Sequence, residues 1–484
     1  LSPADGGSAA EAGDNKQREK AAGKYRIKRI IIAACAVLFI SGGIWFFYSQ
    51  GGLLPGPPAA GHADDAAFTY YTGPVMPLNI IGDAEGIAAD RSIHFDFTLE
   101  EKGSRDMRVT DGYTLTNGTA GDKKVEIVYP FVSSISEVDR LAPVLTVNGG
   151  SLRAELLAGD YAGTFTGDKG HTSNRSNIES WEGYKALLTD GGYLEAAKSE
   201  KAFIADRTVT VYTFCDVTYP KEEGAAALAM EFYLPRGSSV IVNGMNGGSF
   251  DKENSFYRCS FTVAHSTGQR VIVLGEPPGE YTVQGYENGG YQKKLGSVTG
   301  KVMAQTMQFS QAVRDCMAEY RMKQGSPGQE SSLLTDALLY RAVVSMFRYT
   351  LLGDHPVDRY GWMRLDELIG EAYAVPRMLY LKAPLAIPAG QSVKVESRFQ
   401  KEGSCDYARK PWGANSGVWG YDMTTRLGSS VHFTGQKASL DLPQSYEIVR
   451  QNFGFDRAKG ITEVALDLDE ERYYLEIKST DQGG

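Results

Sequence analysis

The chain has 484 residues, with 50 Lys and Arg against 59 Asp and Glu, and the net charge of −9 argues against wholesale nucleic-acid binding. Hydrophobic residues make 42 % and charged residues 23 %, and a mean hydropathy of −0.28 excludes a protein that crosses a membrane many times. The length implies more than one domain, and 55 Gly with 27 Tyr point to many turns and many strands.

Residues 1–29 read as a basic linker. The first residue is Leu1 rather than Met, so a further segment is expected ahead of it. Ile30 to Tyr48 is a run of 19 residues without a charge. As a helix it would be ~28 Å long, close to the ~30 Å hydrocarbon core of a bilayer. Trp45 and Tyr48 stand at one end, where amphipathic rings prefer the interface, and Gly42 and Gly43 are tolerated in a span. Lys16, Arg18, Lys20, Lys24, Arg26, Lys28 and Arg29 precede the run, and no Lys or Arg follows it until Arg91. The positive-inside rule then puts the N-terminus in the cytoplasm and the bulk of the chain outside a cell membrane crossed once. A cleaved signal peptide fits less well, because the run is long and the nearest small-residue site, around Ala60 to Ala63, lies well downstream.

Residues 49–66 are Gly, Pro and Ala with a few polar groups, a composition that makes a semi-extended stalk. From residue 67 the dominant period is two. Ile93, Phe95, Phe97 and Leu99 alternate with His94, Asp96, Thr98 and Glu100, and Val125, Ile127, Tyr129 and Phe131 repeat the pattern. Val147-Asn148-Gly149-Gly150 predicts a hairpin. Further short strands are predicted at Val209 to Val217, Ser239 to Val242, Tyr257 to Val263, Arg270 to Leu274 and Tyr281 to Tyr286. A helical insertion is expected at 177–199. Leu333, Leu334, Ala337, Leu338, Ala342, Val343 and Phe347 predict a helix with one apolar face, and a second is expected from Asp366 to Ala374, before Pro376. Strands resume at Val393 to Phe399 and run to Ile477. The expected architecture is mainly β with α insertions: a first β-sandwich-like unit over 67–300, a helical block over 301–380 and a second β-rich unit over 381–484, both units antiparallel.

No catalytic motif emerges. Gly296-Ser297-Val298-Thr299-Gly300 has its Ser one place too early for a nucleophile elbow, and Leu295 and Val302 break the phosphate-loop pattern around the same stretch. The six histidines are scattered, and none has a His or Cys within five residues. Asp467, Asp469, Glu470 and Glu471 lack the spacing of a calcium loop and read as solvated turn charges. No metal and no cofactor is therefore expected. Paired carboxylates brought together from distant strands would leave no local trace.

Cys35 falls in the apolar run. Cys215, Cys259, Cys316 and Cys405 lie beyond it, an even number in a compartment that permits disulfides. Cys215 and Cys259 both sit in predicted strands; a bond between them and buried free thiols both fit. The densest aromatic stretch is Tyr407 to Tyr421, with Trp412 and Trp419 inside it. Tyr407, Trp412, Trp419 and Tyr421 beside Asn and Arg are candidates for a sugar-binding surface. The competing structural reading, rings packed at a sandwich edge, is favoured because large aromatics mostly bury.

Three stretches carry a resemblance. They are Tyr70-Tyr71-Thr72-Gly73-Pro74-Val75-Met76-Pro77-Leu78, then Tyr113 to Asn117 leading to Val128-Tyr129-Pro130-Phe131, and Val449-Arg450-Gln451-Asn452-Phe453-Gly454-Phe455. Over residues 68–478 the chain resembles single-pass surface proteins of Gram-positive anaerobic bacteria, a group that brings no assigned activity. The expectation is a membrane-anchored extracytoplasmic surface protein with a non-enzymatic binding or envelope-associated role. It would touch the lipid bilayer through residues 30–48 and a cell-wall glycan or a surface protein through its outer part. Two alternatives stand beside it: a transmembrane sensor or anti-sigma-type regulator with a cytoplasmic domain ahead of Leu1, and an envelope glycan-active enzyme.

Overall fold

The computed structural model describes residues 72–98, 105–161, 207–251, 253–266, 268–323, 333–347, 363–405 and 417–480. The expected span Ile30 to Tyr48, the stalk at 49–66 and the helical insertion at 177–199 lie outside the described residues. Among the described residues no helix is long and apolar enough to cross a membrane. Of these residues 53 % are in strands and 15 % in helices, so the chain is mainly β with several sheets.

The described residues begin with β1 (Asn79–Ile81), β2 (Ile87–Asp96), β3 (Asp106–Asn117), β4 (Lys123–Ser133), β5 (Val144–Val147), β6 (Gly150–Leu152) and β7 (Glu155–Tyr161). They continue through β8 (Thr208–Thr218), β9 (Ala227–Tyr233), β10 (Ser239–Asn243), β11 (Gly247–Asp251), β12 (Phe256–Thr262), β13 (Arg270–Leu274), β14 (Tyr281–Tyr286) and β15 (Thr299–Gln308). Helices α1 (Phe309–Lys323) and α2 (Asp336–Phe347), the short β16 (Met363–Arg364) and α3 (Leu365–Ala374) come next. The chain closes with β17 (Arg377–Ile387), β18 (Ser392–Glu402), β19 (Val418–Thr424), β20 (His432–Asp441), β21 (Tyr446–Gln451), β22 (Glu463–Ala465) and β23 (Arg472–Ser479).

Local chemistry accounts for many of these elements. In β2 the apolar Ile87, Ala89, Ile93 and Phe95 turn inward while Asp90 and Ser92 face solvent, the signature of a half-buried strand. Asn148 at φ 50° and Gly149 at φ 81° make the left-handed pair that a two-residue hairpin needs, and β5 and β6 pair across them. The runs Ser239–Asn243 and Arg270–Leu274 do not alternate, because both faces are covered. Ile241, Ile272 and Leu274 pack on the helices, while Val240, Val242, Val271 and Val273 pack on a second sheet.

The strand pairing departs from the linear division at 300 and 380. β3 pairs antiparallel with β18 from Thr116↔Ser392 to Asp106↔Glu402, β4 pairs with β17, and β2 runs parallel to β20. The first and last thirds of the chain therefore build one body. It comprises a seven-stranded sheet in the order β22-β20-β2-β3-β18-β5-β6, a four-stranded sheet β1-β4-β17-β7 and a three-stranded sheet β19-β23-β21 around a shared core. The residues expected as a separate second unit are thus half of the first.

The chain between 207 and 374 is an insert into that body. Its sheet β15-β8-β13-β10-β16 is sandwiched between α1, α2 and α3 on one face and the sheet β11-β12-β9-β14 on the other. The expected helical block also shrinks: residues up to Gln308 extend β15, and β17 already begins at Arg377. Two pairs, β2 with β20 and β10 with β16, are parallel where only antiparallel ones were expected.

Candidate functional site

The outward face of the seven-stranded sheet carries a trough of about 480 Å³ where β20, β2, β3 and β18 lie side by side. The register fixes its rows. Gly435, Asp90, Thr114 and Lys394 align across one row, Lys437, Ser92, Gly112 and Glu396 across the next, and Ser439, His94, Thr110 and Arg398 across a third. The two glycines carry no side chain and leave the floor low. Hydroxyls line the middle, and charges of both signs stand at the rims. Glu396 lies 2.9 Å from Arg398 and 3.8 Å from Lys394, and Lys437 lies 3.2 Å from Glu463.

At one end of the trough His94 Nδ1 is 2.9 Å from Ser439 Oγ, and its Nε2 is 3.4 Å from the Asp441 carboxylate. These are the residue types of a nucleophilic triad. The register, however, makes these contacts by itself: Ser439 is directly across from His94, and Asp441 follows two residues later on the same face. Asp441 is 59 % exposed, so water weakens its hold on the ring. Ser439 Oγ also faces the Ile93 carbonyl oxygen at 3.4 Å, which gives its proton an acceptor other than the imidazole. The set can orient a ligand by hydrogen bonds.

Beneath the trough the sheet is held by charge. Arg91 Nε and Nη2 each donate at 2.8 Å to the two oxygens of Asp111, with both side chains fully buried. Arg91 Nη1 donates to the Thr424 carbonyl at 2.7 Å, and Asp111 also accepts from the Tyr113 and Tyr129 hydroxyls. Burial works most strongly against the guanidinium charge, but Asp111, Tyr113 and Tyr129 together hold the Arg91 pKa above its ordinary value. Burial pushes both tyrosine hydroxyls well up. A second buried cation, Lys401 at the end of β18, donates to the Thr72 carbonyl at 2.8 Å and the Thr72 hydroxyl at 2.7 Å. Burial pulls its pKa down to about 8, against the opposing pull of Glu402, Asp422 and Asp106.

The structure disperses the residues singled out from the sequence. Tyr421 is buried, donates to the Arg105 carbonyl and meets the Phe97 ring edge-on at 5.1 Å. Trp419 is half-buried against Tyr446 at 6.0 Å. Both are thus packing residues of the body, and Tyr407 and Trp412 lie outside the described residues. Cys215 and Cys259 are free thiols, as is Cys316. Phe214 faces the core, its ring centroid 5.0 Å from that of Phe261, so its neighbour Cys215 turns away from the interior that holds Cys259. Burial pushes the Cys259 thiol up and the Cys316 thiol up to about 12. Asp467 accepts from the Asp469 backbone N–H, and Asp469 meets Arg426 at 3.3 Å, within a solvent-facing turn. Among the described residues no group of three or more His, Cys, Asp or Glu is placed to hold a metal ion.

The trough itself was not found in the sequence. Asp90, Ser92 and His94 show the alternation, as do Lys394, Glu396 and Arg398, but nothing local says that Lys437 and Ser439 lie beside them. Comparison with known proteins adds no identity: no protein-family model matches the chain, and no curated protein matches it.

Proposed function

We propose that the chain is a single-pass membrane protein with a cytoplasmic N-terminus, whose β-rich part stands outside the membrane and binds a ligand without turning it over. The uncharged run Ile30 to Tyr48, with seven basic residues before it and none after until Arg91, supports the anchor. The observation that carries the binding role is the trough. Hydroxyls and paired charges from four strands are fixed by register on a rigid sheet, which suits a ligand bearing both a carboxylate and an amine.

The test is a thermal-shift titration of the purified full chain with amino-sugar peptide fragments of cell wall, paired with mass spectrometry of the fragments. A fragment at 100 times its dissociation constant should stabilise the chain by about 2.7 kcal/mol. The shift should be lost when Lys394, Glu396 and Lys437 are together replaced by Ala, and the fragments should be recovered intact. Cleaved fragments whose release depends on Ser439 or His94 would overturn the reading and make the protein an enzyme.

A further inference from the structure

The outer face of β11-β12-β9-β14 in the insert breaks the usual rule for a sandwich, whose solvent face is polar. Leu228, Met230, Phe232, Tyr257, Cys259 and Phe261 fill the interior, so by alternation Tyr233, Glu231, Phe256 and Arg258 face outward. Instead of scattered charges this face carries a line of planar groups. Tyr233 is 66 % exposed and its ring lies 5.3 Å from Phe256. The Arg258 guanidinium sits 5.5 Å from the Phe256 ring and 4.7 Å from the Tyr291 ring. Tyr291 reaches the face from the loop after β14, adopts φ 57°, and is held by a 2.6 Å hydrogen bond between its hydroxyl and Ser260 Oγ. The register places Tyr233 across from Phe256 and Glu231 across from Arg258, so the line crosses strands at a fixed spacing.

The charge on this line is already cancelled. Arg258 Nε donates to Glu231 at 2.7 Å, and Glu231 also accepts from the Tyr286 hydroxyl. Asp251, across from Phe256 on the same face, adds an exposed carboxylate, so this platform of exposed and half-exposed rings has no unpaired positive charge to offer an anionic partner. It does match a molecule with a flat C–H face and equatorial hydroxyls. The C–H bonds stack on the negative faces of the rings, and the hydroxyls reach the polar edges.

We infer that Tyr233, Phe256, Arg258 and Tyr291 form a binding platform for a neutral glycan chain, separate from the trough and independent of what the trough binds.

The experiment is isothermal titration of the purified full chain with hexasaccharides of β-linked glucose, xylose and N-acetylglucosamine, alongside an acidic galacturonate hexasaccharide. At least one neutral hexasaccharide should bind, and the acidic one should not. Tyr233→Ala should weaken binding by roughly tenfold or more, while Tyr233→Phe keeps the ring and should stay within about threefold of the parent. Because Tyr233 is exposed, the Ala variant is expected to fold, which its unchanged melting temperature verifies. Replacing Lys394, Glu396 and Lys437 in the trough should leave the affinity intact, which separates this site from the one proposed above. The inference falls if no neutral hexasaccharide binds, if Tyr233→Ala binds as the parent does, or if the acidic chain alone binds. It falls equally if sedimentation shows a dimer that Tyr233→Ala dissociates, because the face is then a contact between two copies.

Discussion

The two bodies of the protein place their charges in opposite ways. The body built from both ends of the chain buries ionic groups, with Arg91, Asp111 and Lys401 inside and a solvated, hydroxyl-lined face outside. The insert does the reverse. Its central strands are apolar on both faces, and its ion pair of Arg258 with Glu231 lies on the outer surface among rings. An interior of Val, Ile and Phe gains stability mainly from the apolar area it buries. A bidentate Arg–carboxylate pair at the centre of a sheet fixes one register, since any slip leaves a charge without its partner.

The strongest way to break this comparison is Arg91→Ala. It leaves Asp111 buried without a counter-ion and should cost about 3–5 kcal/mol, read as a lowered urea midpoint of the full chain. A loss under 1 kcal/mol would mean that the apolar contacts alone hold the body. Arg258→Ala probes the insert. Glu231 is only 14 % exposed and would keep the Tyr286 hydroxyl as a donor, so the expected loss is about 1–3 kcal/mol. The solvated Lys437–Glu463 pair of the trough is the comparator, and Lys437→Ala should change stability by less than about 1 kcal/mol in the same assay.

Lys401 sharpens the contrast through pH. Its pKa is lowered to about 8 when folded, against roughly 10.4 in an unfolded chain. Between those values the unfolded chain holds a proton that the folded one has released, so this residue makes stability rise with pH across that window and contributes no slope below it. The stability of the parent minus that of Lys401→Met should therefore climb from pH 8 to 10, by at most about 1.4 kcal/mol per pH unit. A flat difference would show that Lys401 keeps its charge in the interior.

Much of this was legible in single strands and little of it between them. Ile93, Phe95 and the hairpin at Asn148-Gly149 announce their elements, because side-chain alternation and backbone conformation are local properties. The partner of β2 is not local, and neither is the row that sets Ser439 beside His94. The stretch from Tyr407 to Tyr421 drew attention by its density of rings. Density does not distinguish a ring that packs, such as Tyr421, from one that projects. Tyr233, Phe256 and Tyr291 stand apart in sequence and meet only because β9 and β12 pair and the loop after β14 folds back. The two sheet faces are thus readable as faces, while their chemistry depends on registers that the sequence does not print.

The pairing of β2 with β20 also has a consequence in time. His94 and Ser439 are 345 residues apart, so the early strands are synthesised long before their neighbours exist. β2 and β3 can form their own hairpin, but the edges that later receive β20 and β18 stay open while the insert is made. The insert holds its strand partners within its own length and can close first. A nascent chain of this design keeps unsatisfied backbone donors and acceptors exposed for most of its synthesis, the interval in which sheet edges recruit the wrong partner.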